Sequence, residues 1–344
     1  MSLLARRSFL KSGLSLASLS FLQPFTVTPV REDGFGASIL PPRLNKGDKV
    51  AIMGMAGALR DITYIETFKT ILTNLGFNVV LGKTLTKVVG YLSGSDEERA
   101  GEFNAFIADE SIKGIFFIKG GWGCGRVLDK IDYNQVKSTP KIIIGFSDIT
   151  SLLCAIHQKT GVVTFHGPVG NSSWDQFSST AFSEIVCNGG LDFDATEKTQ
   201  IQPLKTLHNG VAKGPLVGGN LTVFCSLLGT PYFPDCTGKI LFLEETHEEP
   251  YSVDRLLNSL RLAGVFNEIS GLIFGQFNDC LPEKPQESFL LEEVVNQHVA
   301  GLDIPILWGA PFGHVKEKWT LPIGVEAILN TESLTLKLIH PAVS

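Results

Sequence analysis

Residues 141 to 148 read Lys-Ile-Ile-Ile-Gly-Phe-Ser-Asp, and Ile149-Thr-Ser-Leu-Leu-Cys-Ala-Ile-His157 follows directly. The first stretch is apolar and β-branched, the pattern of a buried strand. The second repeats its apolar residues with helical period. Ser147 therefore stands on the turn between a strand and a helix. A serine there is held away from the backbone, and the helix amides just beyond it can receive a developing negative charge. This is the arrangement of a nucleophile elbow. It departs from Gly-x-Ser-x-Gly, because Ile149 stands where the second glycine would be. A serine after a strand is more often a helix N-cap, so the motif needs support from the rest of the chain.

Strand and helix patterns alternate on the amino-terminal side of this stretch. Asp48–Met53 reads as a first strand, and Ile65, Phe68, Leu72 and Leu75 mark one face of a helix closed by Gly76. Phe77–Leu81 is a second strand, and Ser95-Asp-Glu-Glu98 is a capping box that opens the next helix. Gly114–Ile118, Lys141–Gly145 and Val162–Phe165 continue the series. Such alternation implies a parallel sheet, in which ligands gather at the carboxyl ends of strands. One of those ends carries Lys119-Gly-Gly-Trp-Gly-Cys-Gly125. The run lacks the Gly-x-Gly-x-x-Gly order of a dinucleotide loop and the Gly-Lys-Ser/Thr end of a phosphate loop. Its glycines let backbone amides approach a bound group closely. Beside the elbow they could supply half of an oxyanion hole, or simply make a tight turn.

Residues 171–213 are polar and poorly periodic, and read as a linker with a surface loop. A second α/β region begins near Gly214. Residues 218–231 read as a helix ending in a turn, Lys239–Leu243 as a strand, Val253–Ala263 as a helix and Gly271–Gly275 as a strand. Leu290–His298 reads as a helix, and short strands are expected at 306–308, 316–320, 325–330 and 333–338.

The composition is that of a globular α/β protein: 344 residues, 44% hydrophobic and 19% charged. A formal charge of −6 offers no basic footprint for nucleic acid. No apolar run long enough to span a membrane follows the first 30 residues, so no stable membrane anchoring is expected. Those first residues differ. Ala5-Arg-Arg-Ser-Phe-Leu-Lys11 precedes a weakly apolar run, and acidic residues are absent until Glu32. The string resembles a twin-arginine export signal over residues 1–30, which implies a periplasmic protein. Without that signal the address would be the cytoplasm. Six scattered cysteines form no Cys-x-x-Cys pair, so no zinc site is expected.

A serine nucleophile needs a base, and a carboxylate to orient that base. Of the seven histidines, His157 and His298 lie in helical patterns, His340 is terminal and His208 lies in a polar stretch. His166 ends a strand and His247 sits in a run of glutamates. His314 follows a short strand and turn, Trp308-Gly-Ala-Pro-Phe-Gly-His, where a side chain can project into a cleft. Glu244 is the first charged residue after Ile240-Leu-Phe-Leu243, at a strand end.

In order and content these segments closely resemble the LD-carboxypeptidase family of serine peptidases, which includes the microcin-immunity peptidases. The matching pieces are Gly-Gly-Trp-Gly (120–123), Gly-Phe-Ser-Asp (145–148), Phe-His-Gly-Pro (165–168) and Gly-Gly-Asn-Leu (218–221). Leu-Gly-Thr-Pro (228–231), Leu-Phe-Leu-Glu-Glu (241–245), Tyr-Ser-Val-Asp-Arg (251–255) and Gly-His with Leu-Pro-Ile-Gly (313–314, 321–324) complete them. The resemblance implies an α/β fold of two domains. A Rossmann-like parallel-sheet domain would span 44–190, with a linker at 191–204 and a smaller mixed α/β domain at 205–344. It implies Ser147 as nucleophile, His314 as base and Glu244 as orienting carboxylate. Asp148 and Gly121 would supply the oxyanion amides, and Lys119, Gly120, Trp122 and Asn220 would contact substrate. Lys119 and Trp122 stand where the family usually has arginine and tyrosine. The implied substrate is a peptidoglycan-derived tetrapeptide cut between an L-centre and a terminal D-alanine, with no metal or organic cofactor. Family members often pair as homodimers. Two alternatives stay open: a microcin-immunity peptidase acting on an aminoacyl-nucleotide toxin, with Trp174 stacking on the base, or a non-catalytic binding protein.

Overall fold

Each apolar, β-branched run of the amino-terminal half forms a strand, and each amphipathic run a helix. The computed structural model describes residues 38–193 and 202–344. The proposed export signal lies outside them. The first half contributes β1 (Lys49–Met53), α1 (Thr63–Asn74), β2 (Asn78–Leu81), α2 (Asp96–Ala108), β3 (Ile112–Phe117), α3 (Tyr133–Ser138), β4 (Ile142–Gly145), α4 (Thr150–Thr160) and β5 (Thr164–His166). These five strands pair in parallel in the order β5-β4-β3-β1-β2. Val50–Met53, Ile115–Phe117 and Ile142–Ile144 are buried, as parallel strands between crossover helices must be. The expected capping box opens α2: Ser95 Oγ accepts from Glu98 N at 3.1 Å, and Ser95 N donates to Glu98 Oε2 at 2.9 Å. The strand order reverses between β1 and β3, so the loops after those two strands flank a crevice at the carboxyl edge.

The second half adds α5 (Gln176–Ser183), β6 (Asp192–Phe193), β7 (Lys205–His208), β8 (Val211–Asn220), α6 (Leu221–Ser226), β9 (Ile240–Thr246), α7 (Pro250–Leu262), α8 (Val265–Glu268), β10 (Gly271–Asn278), α9 (Leu291–Val299), β11 (Ile306–Trp308), β12 (Leu321–Ile323), β13 (Glu326–Asn330) and β14 (Thr335–Leu338). An eight-stranded mixed sheet runs β6-β14-β13-β8-β9-β10-β11-β7, with β8 to β11 parallel at its centre. Both sheets, over the described residues, belong to one compact unit.

Three segments differ from the reading of the sequence. Residues 171–213 are more structured than a linker: Asp175 caps α5 by accepting from Ser178 N at 2.9 Å, and β7 and the start of β8 lie within the same range. Residues 218 and 219 extend β8 instead of opening a helix. Only glycine fits there, because the Phe242 backbone and the Thr150 side chain fill the space a β-carbon would need. Residues 316–320 form a loop, not a strand. Ser178 pins this loop: Lys318 N donates to its Oγ at 3.1 Å, and that hydroxyl donates to Lys316 O at 3.2 Å. The strand comes next, as β12, which pairs antiparallel with β5 in the first sheet. The chain between β11 and β12 thus starts in one sheet and ends in the other, and it carries His314.

Candidate active site

β4 ends at Gly145, Phe146 is extended, and Ser147 takes φ of +61°, a conformation that costs a non-glycine residue energy. The turn Ser147–Ile149 then feeds α4, whose cap position is Ile149, so Ser147 is not the helix cap. A β-carbon on Gly145 would lie 2.8 Å from the Ile149 side chain. The missing side chain at 145 is what accommodates isoleucine in the elbow.

The glycine loop lies directly against the serine. A β-carbon on Gly120 would stand 2.7 Å from Ser147 Cβ and 3.4 Å from Asp148 N. Loop and elbow are clamped together, since Cys124 N donates to Asp148 Oδ2 at 2.7 Å. Burial pushes the Asp148 carboxyl above its ordinary range, against the opposing pull of that amide. On its other side the loop is tied to the segment after β1, where Gly57 N donates to Gly120 O at 3.1 Å. Fully buried Arg99 holds it from behind, donating to Gly123 O at 2.9 Å and to Met55 O. Gly121 takes φ of +114° within this loop.

Glu244 is fully buried on β9, and its Oε2 lies 2.7 Å from His314 Nδ1. Gly313 makes this approach geometrically open: it has φ of +108°, and a β-carbon there would fall 2.7 Å from Glu244 Oε2. Burial works to raise the Glu244 pKa, but His314 first, then His166 and Asn220, together outweigh it, and the carboxyl is held below its ordinary range. An ionised carboxylate only accepts, so Nδ1 carries the proton and Nε2 is the basic nitrogen. The imidazole packs 4.7 Å, ring centre to ring centre, from Phe146, the residue before Ser147. Strand alternation turns the neighbouring Glu245 to the other face. There burial and the charge of Glu244 push its carboxyl up, while Thr222, Thr246 and Asn220 bond to it.

The expected substrate contacts divide. Lys119 lies across Gly57, its Nζ 3.5 Å from where a β-carbon would be. Trp122 is 53% exposed beside the glycine loop, edge-on to Tyr91 at 5.7 Å. Asn220 is committed inside the protein instead: it caps α6 by accepting from Val223 N at 3.1 Å and donates to Glu245 Oε1 at 2.8 Å. Trp174 is likewise engaged, donating to Val169 O at 3.0 Å and packing at 5.4 Å against both Phe68 and Phe182. It is not a free platform for a base. His166 is buried among Phe146, Phe242 and Phe312, whereas His247 is exposed, so the two do not converge. Among the described residues no group of three or more His, Cys, Asp or Glu side chains is placed to hold a metal ion. Two residues escaped the reading of the sequence: Tyr91, in a turn with no motif, and Lys318, whose ammonium lies 4.6 Å over the Phe146 ring.

Known proteins share this architecture. Residues 50–167 match the model of the LD-carboxypeptidase N-terminal domain, and residues 213–329 that of the LD-carboxypeptidase C-terminal domain. A probable murein peptide carboxypeptidase of Bacillus subtilis is 37% identical over 306 residues, covering 88% of this chain and 94% of that one. The microcin C7 self-immunity protein MccF of Escherichia coli is 30% identical, over 78% of this chain and 86% of its own. Among solved structures, the muramoyltetrapeptide carboxypeptidase from Oxalobacter formigenes aligns with a TM-score of 0.72 at 26% identity, covering 84% of this chain and 97% of the other. MccF in complex with glutamyl sulfamoyl guanosine aligns with a TM-score of 0.81 at 26% identity, covering 89% and 99%. With both domain models matched in order around the same elbow, the chain belongs to the LD-carboxypeptidase family.

Proposed function

We propose that the protein is a serine LD-carboxypeptidase that hydrolyses the amide between an L-centre and a terminal D-alanine in peptides derived from peptidoglycan. The observation that carries this reading is the 2.7 Å contact of His314 Nδ1 with buried Glu244, beside a serine in elbow conformation. The likeness to murein peptide and muramoyltetrapeptide carboxypeptidases supports the substrate class.

In this mechanism Ser147 Oγ passes its proton to His314 Nε2 as it bonds to the amide carbon. The carbonyl electrons move onto oxygen, and the amides of Asp148 and Gly121 donate to that oxyanion. Glu244 holds the imidazole in its Nδ1–H tautomer and stabilises the imidazolium that forms. Collapse of the intermediate breaks the C–N bond, and the D-alanine amine leaves with the proton from His314. Water, deprotonated by the same nitrogen, then attacks the ester on Ser147. The shortened peptide leaves as a carboxylate and the hydroxyl is restored.

The likeness to MccF favours a second reading, hydrolysis of an aminoacyl-nucleotide toxin. The tryptophan that the sequence offers for stacking on a base, Trp174, is engaged in packing, so the wall-peptide reading is preferred. Incubation with a wall tetrapeptide and with an aminoacyl-nucleotide, in parallel, separates the two. D-alanine release with little nucleotide hydrolysis is expected. The reverse pattern would select the immunity reading, and activity on neither would remove the enzyme reading for these substrates.

A further inference from the structure

Behind the Glu244–His314 pair the fold buries polar atoms that the mechanism above does not use. Glu244 Oε1, both ring nitrogens of His166 and Thr320 Oγ1 are buried without a hydrogen-bond partner. Into the same region the loop after His314 sends Lys318, only 4% exposed. Lysine normally extends its ammonium to water along an apolar stem. Here Ser178 holds the Lys318 backbone, the side chain is buried, and Nζ lies 4.6 Å over the Phe146 ring. That ring also packs 4.7 Å from His314 and 6.0 Å from His166. One aromatic side chain thus gathers the base, a buried lysine and a buried histidine around the residue preceding Ser147.

A buried ammonium is costly unless a carboxylate answers it. The acids that act on Lys318 are Glu244 from β9 and Asp175 at the head of α5. Its titratable neighbours are His166 at the end of β5 and His314 on its own loop. A carboxylate alone strengthens the hold of an imidazole on its second proton, and a cation beyond that carboxylate opposes this. We propose that Lys318 is a positioning residue for the reaction, its ammonium counterbalancing the charge of Glu244 behind the His314 imidazole. The proposal rests on His314 being the base. Burial holds His166 down to about 4, so it adds no charge to this cluster at neutral pH. Burial also pushes Lys318 itself down to about 8, against the pull of Glu244 and Asp175. The counterbalance therefore fades in mildly alkaline solution.

The test is an NMR titration of the His314 imidazole, assigned with His314→Gln, in wild type, Lys318→Met and Lys318→Arg, alongside the pH profile of kcat/KM. In Lys318→Met the imidazole midpoint and the acidic limb of kcat/KM should both rise by about one pH unit. Lys318→Arg, still charged, should keep the wild-type midpoint and lack the inflection near pH 8 that is expected of wild type. An unmoved imidazole in a folded Lys318→Met protein, even with reduced kcat, would mark the lysine as structural and overturn the proposal. Should Lys318→Met not fold, a wild-type His314 signal without an inflection near pH 8 overturns it equally. The titration needs no substrate, so failure to cleave wall peptides would remove the proposed function while the imidazole shifts still decide the role of Lys318.

Discussion

Gly120 lies so close over Ser147 that a single added β-carbon would stand 2.8 Å from the serine Oγ. The closeness brings the glycine-loop backbone to the elbow, where an oxyanion would form. Gly120→Ala should therefore lower kcat by about 10²-fold, the scale of a 1 Å displacement at a reacting centre. Gly125→Ala, where no atom lies within 4 Å of the added carbon, should leave turnover near wild type. Steady-state kinetics with thermal unfolding as a control checks both. Wild-type turnover in Gly120→Ala would separate this contact from catalysis.

Acid stability follows from two buried histidines. Burial pushes His157 and His166 from 6.5 down to about 4, so the folded chain binds protons less tightly than the unfolded one. Their contribution is fully present above 6.5 and is lost as pH falls toward 4. The urea midpoint should fall across that interval, and His157→Gln should flatten the fall. An equal slope in wild type and variant would contradict the assignment.

Substrate choice turns on the carboxyl end. Lys119 and Trp122 flank the glycine loop, and an ammonium suits a terminal carboxylate. The enzyme is expected to remove one D-residue from a free tetrapeptide and to ignore its carboxyl amide. Equal cleavage of the amide would replace carboxylate recognition with an endopeptidase reading. Lys119→Met should raise KM more than it lowers kcat.

Arg6 and Arg7 belong to the string that resembles a twin-arginine signal. We infer export of the folded protein by the twin-arginine route. Replacing both arginines with lysine should retain the precursor in the cytoplasm, as read by fractionation. Undiminished delivery of that variant, or a wild-type protein found only in cytosol, would contradict export.

Much of the candidate geometry was legible because its signals are local. An apolar run entering Gly-Phe-Ser-Asp needs only neighbours to make a strand, a turn and a helix. The Ser95 capping box closes within four residues. What escaped depends on distant partners. Residues 316–320 read as a short strand, yet their path is tied to Ser178, 140 residues from Lys318. α5 is short and serine-rich, and it holds through packing of Phe182 against Trp174 and Phe116. The family resemblance implied that Asn220 contacts substrate. Its commitment became visible only with Glu245 beside it.

The proposed nucleophile, Ser147, is tested most directly by D-alanine release from a wall tetrapeptide by wild type and Ser147→Ala. Circular dichroism must show the variant folded, because a collapsed domain also loses activity. Turnover should fall on the order of 10⁴-fold or more, and His314→Ala should match it because such groups act as a unit. A folded Ser147→Ala protein that releases D-alanine at a rate near wild type would contradict the account.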